Sequence, residues 1–134
     1  MTLVDLPTIQ AAAKRIEGQV RRTPVRRSSN LSALTGSDFH LKLENFQLTG
    51  SFKVRGGLNK LLTMTAAERA KGVVAASAGN HAQGVAYAAR QAGVLCTVVV
   101  IETAPASNLH RMKALGASLI QVSFDVAWKA LEER

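Results

Sequence analysis

The sequence predicts an α/β fold in three layers, with an open parallel sheet and flanking helices. Three short apolar runs, at 73–76, 97–101 and 119–122, indicate strands. Each run is followed by a segment with apolar residues at helical spacing. The order strand–helix–strand–helix–strand–helix implies right-handed crossovers, and therefore a parallel sheet with helices on its faces.

Composition narrows the class of protein. The chain has 134 residues, of which 47% are hydrophobic and 19% are charged, as in ordinary globular proteins. No apolar run approaches the ~20 residues needed to cross a bilayer. The opening segment carries Asp5 where a signal peptide would be basic, and Cys96 is the only cysteine, which excludes an internal disulfide and a cysteine zinc site. We therefore expect no metal, no membrane and a cytoplasmic location.

The charge of +8 is concentrated near the amino terminus. The segment 14–27 carries six basic residues against the single acid Glu17. They are Lys14, Arg15, Arg21, Arg22, Arg26 and Arg27. The segment has no aromatic residue to stack on bases, and Thr23-Pro24 breaks any continuous recognition helix. Nucleic-acid binding is therefore disfavoured, and the cluster is either a solvated face or a surface that contacts another part of the protein.

The first half of the chain shows one helix and one strand before residue 45. A helix is expected after Pro7, with Thr8 as its N-cap. Phe39, Leu41 and Leu43 alternate with polar residues, which is the pattern of a half-buried strand. Residues 45–50 are expected to form a loop, and residues 52–62 a helix.

The second half carries clear helix signals between the strands. Thr65 and Glu68 form a capping box for a short helix. A helix over 81–91 should end at Gly93. Ser107 and Ser123 are candidate N-caps of the last two helices.

Lys53 is the first candidate for chemistry. It lies at the start of the predicted helix 52–62, directly after Gly50-Ser51. The positive end of the helix dipole disfavours a cation there and favours the neutral amine, which can attack a carbonyl and form a Schiff base. The alternative is a surface lysine whose alkyl chain lies along the protein.

The second candidate is the segment Ser-Ala-Gly-Asn-His-Ala-Gln-Gly at 77–84. It follows the first strand of the parallel unit and opens a helix, and ligands bind at that place in open α/β sheets. Free backbone N–H groups at a helix start suit a carboxylate or a phosphate, and Gly79 allows a tight turn. The alternative is that Ser77 and Asn80 only cap the helix and that His81 is an ordinary helix residue.

Together these motifs resemble one enzyme family. Lys-Leu-Glu-Asn at 42–45, Thr-Gly-Ser-Phe-Lys-Val-Arg-Gly at 49–56 and the segment 77–84 occur in order and at suitable separations. The chain, from about Pro7 to its end, resembles the fold-type-II pyridoxal-phosphate enzymes, and within them the threonine dehydratase and serine racemase group.

The resemblance implies roles for individual residues. Lys53 would hold pyridoxal phosphate as a Schiff base and then serve as the acid–base group at the substrate Cα. Phe52 would lie beside the pyridine ring, and Asn80 would bind the cofactor's phenolic oxygen. The loop that grips the substrate carboxylate would comprise Ser77, Ala78, Gly79, Asn80 and His81.

The implied reaction is β-elimination of water from a small hydroxy amino acid, L-threonine or L-serine, to give a 2-oxo acid and ammonia. Serine racemases carry a hydroxyl residue at the position of Ala78, so alanine there favours a dehydratase. Serine racemase and threonine synthase remain alternatives, while His81 argues against cysteine synthase, whose loop resembles Thr-Ser-Gly-Asn-Thr. The non-enzyme alternative is a basic α/β binding module.

The resemblance also implies a domain organisation for the chain. Family members are more than twice as long, and their glycine-rich phosphate loop lies downstream of the part matched here. We therefore expect residues 1–50 to be the amino-terminal segment of the large domain and residues 51–134 to be most of a truncated small cofactor domain. We expect a homo-oligomer, and weak cofactor binding by the isolated chain.

Overall fold

The chain forms two separate sheets with helices between and around them. The structure, a computed structural model, describes residues 4–132, with side chains up to residue 129. No helix in that range has the length and apolar character needed to span a membrane. The elements are α1 (Leu6–Arg15), β1 (Val25–Arg27), α2 (Ser29–Thr35), β2 (His40–Lys42), a 3₁₀ turn (Glu44–Phe46), α3 (Lys53–Thr63), α4 (Ala66–Ala70), β3 (Val73–Ala76), α5 (Asn80–Ala92), β4 (Cys96–Ile101), α6 (Ala106–Ala114), β5 (Ser118–Val122) and α7 (Phe124–Glu132).

The larger sheet confirms the predicted fold class. Strands β3, β4 and β5 are parallel and adjacent in that order, with Ala75, Val98 and Leu119 in register. Alternate residues of β4 are buried, and they pack against α5 and α6. The buried side chains of this core include Val98, Val100, Ala82, Ala86, Ala89 and Met112. One face of the sheet is thereby removed from water, which is the main source of stability in this half of the chain.

The helix ends confirm some of the predicted caps and correct two. The capping box of Thr65 and Glu68 is present, and the Ser123 hydroxyl accepts the Val126 N–H at 3.3 Å. Thr8 is wrong as the N-cap of α1. The helix begins three residues earlier than a cap at Thr8 implies, at Leu6, and the Asp5 carboxylate accepts the Thr8 N–H at 2.9 Å. A proline is favoured in the first turn of a helix, so Pro7 lies inside α1 and does not precede it.

Ser107 is also wrong as a cap. Helix α6 begins at Ala106, Pro105 occupies the N-cap position, and no side chain caps the helix. Proline fixes its own φ angle but has no side-chain acceptor, so the first N–H groups of α6 receive no hydrogen bond from a capping side chain.

The strand predicted around Leu41 is present, but the prediction that it is half-buried is wrong. Strand β2 exists and pairs antiparallel with β1, but all of its residues are exposed, and the Phe39 and Leu41 side chains are 38% and 37% exposed. Two strands of three residues have too little area to cover one face of side chains. Helix α2, which lies between them, was not predicted.

The start of α3 lies against the first half of α5. Val54, Leu58 and Leu61 of α3 are buried with Ala88 of α5. The two backbones approach so closely that a Cβ on Gly84 would lie 2.8 Å from the Lys53 carbonyl carbon, and one on Gly57 would lie 2.7 Å from the Gly84 oxygen. Glycine at both positions is therefore a steric requirement of this contact.

Replacing Gly84 by alanine should force α3 and α5 apart. We expect Gly84→Ala to lower the free energy of unfolding by about 1–3 kcal/mol, because the added methyl group meets backbone that cannot move aside. Gly56→Ala is the matched control, since Gly56 is helical and exposed with no atom within 4 Å of its virtual Cβ. It should raise stability by about 0.5–1 kcal/mol. Urea unfolding of both variants measures this, and equal effects would contradict the close contact.

Candidate functional site

Lys53 is the first residue of α3 and follows a tight turn. Gly50 has a φ of 72°, which glycine adopts without strain. The buried Ser51 hydroxyl accepts the Lys53 N–H at 3.4 Å. The Lys53 side chain is half-buried, and its Nζ lies 5.0 Å from the centroid of the Phe52 ring. Phe52 is 58% exposed, so amine and ring together form an accessible surface.

The turn at 77–79 extends the parallel sheet and then opens α5. The Ser77 N–H donates to the Val99 carbonyl at 3.1 Å, and the Gly79 N–H donates to the Ser77 hydroxyl at 3.2 Å. Gly79 is the N-cap of α5, and no side chain caps the helix. Asn80 and His81 are exposed. The role of Ser77 and Asn80 as simple caps, which the sequence left open, is therefore wrong.

The start of α5 has the properties of an anion site. The first N–H groups of an α-helix have no acceptor within the helix, and here no side-chain cap supplies one. These groups and the helix dipole together favour a bound carboxylate or phosphate. The site lies at the carboxyl end of β3, as the sequence predicted.

The helix contact brings the two candidate segments together. Gly84, whose virtual Cβ meets the backbone of Lys53, lies one helical turn beyond Asn80. The start of α3 is therefore placed beside the first turns of α5. Lys53 and the turn at 77–81, which are separated by more than 20 residues in the sequence, belong to one region of the surface.

Asn108 is a residue of this region that sequence reasoning missed. Its Nδ2 donates to the Ala78 carbonyl at 3.0 Å, and its Oδ1 accepts from the Gln83 Nε2 at 3.4 Å. The side chain therefore joins α6 to both the turn and the first part of α5. The contact spans 30 residues, and no local sequence pattern signals it.

Two further motif residues, Glu44 and Arg55, form an ion pair. The Arg55 guanidinium binds Glu44 through two hydrogen bonds, Nε to Oε2 at 2.8 Å and Nη2 to Oε1 at 2.7 Å. The Thr23 hydroxyl also donates to Glu44. These hydrogen bonds, those from Arg55 above all, lower the pKa of Glu44 to about 2 although burial acts in the opposite direction. The pair ties α3 to the segment before it, and the bonds of Glu44 with Thr23 and of Arg55 with the Arg21 carbonyl connect both to the amino-terminal segment.

Gln47 strengthens the same connection. Its buried amide accepts the Arg21 N–H at 2.9 Å and donates to the Arg21 carbonyl at 2.9 Å, as a neighbouring strand would. Of the basic cluster, Arg21 also donates to the Phe46 carbonyl, Arg15 binds the Asn59 side chain and Arg27 pairs with Asp38. Part of the positive charge thus serves contacts within the chain.

Comparison with known proteins decides the family. The model of the family described as "Pyridoxal-phosphate dependent enzyme" matches residues 16–134. The chain belongs to this family. The resemblance drawn from the three motifs is therefore confirmed, and with it the family's cofactor, pyridoxal phosphate.

Individual proteins of known sequence or structure show which members of the family the chain is similar to. The chain is 45% identical to L-threonine ammonia-lyase of Thermotoga maritima over 130 residues, which cover 96% of this chain and 32% of the relative. It superposes on serine racemase of Dictyostelium discoideum with a TM-score of 0.86 at 38% identity, covering 97% of this chain and 43% of that one. It superposes on threonine deaminase isoform 2 of Solanum lycopersicum, in its processed form, with a TM-score of 0.75 at 31% identity, covering 92% and 38%. The chain thus spans about a third of the length of the curated relative.

The residues present fit part of the cofactor. A half-buried amine suits the aldehyde carbon, and an exposed aromatic ring beside it suits one face of a pyridine. The unpaired amides at the start of α5 suit an anionic group. Gly56 and Gly57 lie within α3, so they form no phosphate-binding loop.

The ion pair of Glu44 should make stability depend on pH. The pKa of Glu44 in the folded chain, about 2, lies below its ordinary value of 4.5. The stabilisation is therefore complete above pH 4.5 and is lost as the pH falls towards 2. The full effect is on the order of 3 kcal/mol.

Urea unfolding between pH 6 and 2 measures this contribution. Glu44→Gln should lose most of the pH dependence, because the titrating group is gone. Glu17→Gln, which removes an exposed carboxyl, should leave the dependence unchanged. Parallel pH profiles for wild type and Glu44→Gln would show that the pair is not coupled to folding.

Proposed function

We propose that this chain carries the lysine and the carboxylate-binding turn of an enzyme that eliminates water from L-threonine or L-serine. The observation that carries the proposal is the packing of Lys53, at the start of α3, beside the first turns of α5. The products are a 2-oxo acid and ammonia. The relative from Thermotoga maritima, named L-threonine ammonia-lyase, supports the reaction class.

Lys53 acts as the acid–base group. Pyridoxal phosphate, when bound, serves as an electron sink that makes the Cα proton of the amino acid acidic. The Lys53 amine takes that proton and gives it to the β-hydroxyl group, which leaves as water. The enamine that remains tautomerises to an imine, and the imine takes up one water molecule to give the 2-oxo acid and ammonia. Phe52 would lie beside the cofactor ring, and the Asn80 amide would donate to the cofactor's phenolic oxygen.

The turn binds the substrate carboxylate. The residues we assign to it are Ser77, Ala78, Gly79, Asn80 and His81. The assignment is supported by the N–H groups at the start of α5, which no side chain caps. A carboxylate held there fixes one end of the substrate, so that the Cα proton meets the amine in a defined orientation.

Serine racemisation is the second candidate, favoured by the superposition on the racemase of Dictyostelium discoideum. Racemisation needs a proton donor on each face of Cα. Ala78 would occupy the face opposite Lys53, and its methyl group has no proton to give. We therefore place elimination first.

We further propose the wider setting of this site. Residues 1–50 belong to the amino-terminal segment of a large domain, and residues 51–134 to a small cofactor domain. The two sheets, which fall on either side of residue 50, support that division. The protein acts in the cytoplasm as a homo-oligomer, and the basic side chains near the amino terminus that are not engaged in the contacts described above face a protein partner and not nucleic acid.

Trapping with borohydride tests the role of Lys53. Pyridoxal phosphate is added to the chain, the mixture is reduced, and peptides are analysed by mass spectrometry. The adduct should concentrate on Lys53, because reduction captures even a weakly populated Schiff base. L-Threonine should lower the labelling, since its amine competes for the aldehyde.

Two variants sharpen this test. Lys53→Ala should lose the adduct, whereas Lys60→Ala, at the exposed far end of α3, should keep it. Labelling spread evenly over the exposed lysines, with no effect of L-threonine, would overturn the proposal.

The position of Ala78 can be tested with L-serine as substrate and Ala78→Ser as the variant. A hydroxyl group on the opposite face supplies a proton, so the ratio of D-serine to pyruvate should rise at least about tenfold. Ala76→Ser, which adds a hydroxyl at the exposed end of β3, should leave the ratio unchanged. An unchanged ratio in both variants would show that residue 78 does not choose between the reactions.

A further inference from the structure

The side chain of Asn108 connects three parts of the chain at the candidate site. It lies in the first turn of α6, half-buried, and it donates to the Ala78 carbonyl while it accepts from Gln83. Gln83 is 3% exposed and lies in the first part of α5. Each polar atom of the Asn108 amide therefore has a partner of the matching kind.

The hydrogen bond to Ala78 fixes the orientation of a peptide plane. In a trans peptide the carbonyl of one residue and the N–H of the next point in opposite directions. Holding the Ala78 oxygen towards α6 therefore directs the Gly79 N–H the other way. That N–H meets the Ser77 hydroxyl oxygen at 3.2 Å.

The Ser77 hydroxyl is oriented in consequence. A serine hydroxyl has one proton to donate and two lone pairs to accept. The Gly79 N–H occupies one lone pair, and among the described residues none accepts the Ser77 proton, so that proton is available to an acceptor outside the turn. A carboxylate at the start of α5 is such an acceptor, and the bond would be charge-assisted.

We propose that Asn108 is a positioning residue for the carboxylate-binding turn. It acts through the Ala78–Gly79 peptide and sets the direction in which the Ser77 hydroxyl donates. The inference rests on the proposed function in one respect, namely that the turn at 77–81 binds the carboxylate of an amino acid. The bond from Gln83 holds the Asn108 amide in the orientation that presents its N–H groups to Ala78.

Two variants separate the two sides of the Asn108 amide. Asn108→Leu removes both hydrogen bonds. Asn108→Asp keeps an acceptor for Gln83 but loses, at pH 7, the donor for the Ala78 carbonyl. Ser107→Ala is the matched control, because Ser107 is exposed on the same turn and caps nothing.

The first readout needs no ligand. Nuclear magnetic resonance of the ¹³C,¹⁵N-labelled full chain reports the Ala78 carbonyl and the Gly79 amide. Both Asn108 variants should shift these resonances and speed hydrogen exchange at Gly79 by about tenfold, the loss of about one hydrogen bond. Ser107→Ala should change neither.

The second readout is the affinity for L-threonine, followed by the shifts of the amides at 79–82. Asn108→Leu and Asn108→Asp should each weaken binding about tenfold. In a Ser77→Ala background the Asn108→Leu change should weaken it by less than about threefold, because the group through which Asn108 acts is gone. A residue that merely packs would give additive effects.

The outcomes are distinct. If Gly79 exchange and the Ala78 carbonyl resonance are unchanged in both Asn108 variants, the inference is overturned whether or not L-threonine binds. Additive losses in the Ser77→Ala background overturn it as well. If wild type does not bind L-threonine but the Gly79 and Ala78 signals respond as expected, the proposed function fails while the orienting role of Asn108 is supported. If Asn108→Leu fails to fold, Asn108→Asp carries the test, with the cycle run on it.

Discussion

The site depends on the close contact of two helix backbones. At Gly57 and Gly84 the chain has no side chain, and α3 approaches α5 to a distance that excludes even a methyl group. The contact adds little apolar area by itself, but it fixes where α3 begins relative to the first turns of α5. Lys53 begins α3, and the turn at 77–81 opens α5, so one contact sets the relation of the amine to the anion site. A looser helix pair would keep both segments and lose their alignment.

A polar network holds the other side of α3. Arg55 reaches back to Glu44, and Gln47 pairs with the backbone of Arg21. These groups are largely shielded from water, so the loss of one partner leaves a desolvated polar group and costs more than an exposed ion pair would. The network makes the amino-terminal segment part of the support of the lysine turn. It also gives physical roles to Glu44 and Arg55, which belong to the motifs at 42–45 and 49–56.

Much of the fold follows from the sequence because its signals are local. The strand at Val73–Ala76 and the capping box at Thr65 are written in runs of a few residues, and the structure has them where they were predicted. The exposure of β2 could not be foreseen, since alternation shows that a strand has two faces but not whether anything covers them. The cap predicted at Thr8 fails because Asp5 caps α1 with Pro7 inside its first turn, and the cap predicted at Ser107 fails because Pro105 occupies the N-cap position of α6.

Local sequence signals reveal some residues of the candidate site and not others. Lys53 and the residues of the turn stand out because glycine, a polar side chain and a helix start occur together in sequence. Asn108 does not stand out, because its partners are 25 and 30 residues away and its own surroundings are those of an ordinary helix. Hydrogen bonds between residues so distant in sequence depend on how α6 packs against α5, and the local sequence pattern does not encode that packing.

The arrangement of the site depends on the contact between the start of α3 and α5, and nuclear Overhauser spectroscopy tests that contact most directly. A Cβ on Gly84 would lie 2.9 Å from the Val54 nitrogen, so an α-proton of Gly84 lies in the same direction. We expect a strong cross-peak between a Gly84 α-proton and the Val54 amide proton, with a further one to the Lys53 α-proton. Absence of both cross-peaks in a folded chain, with the β3–β4 contacts intact, would contradict it.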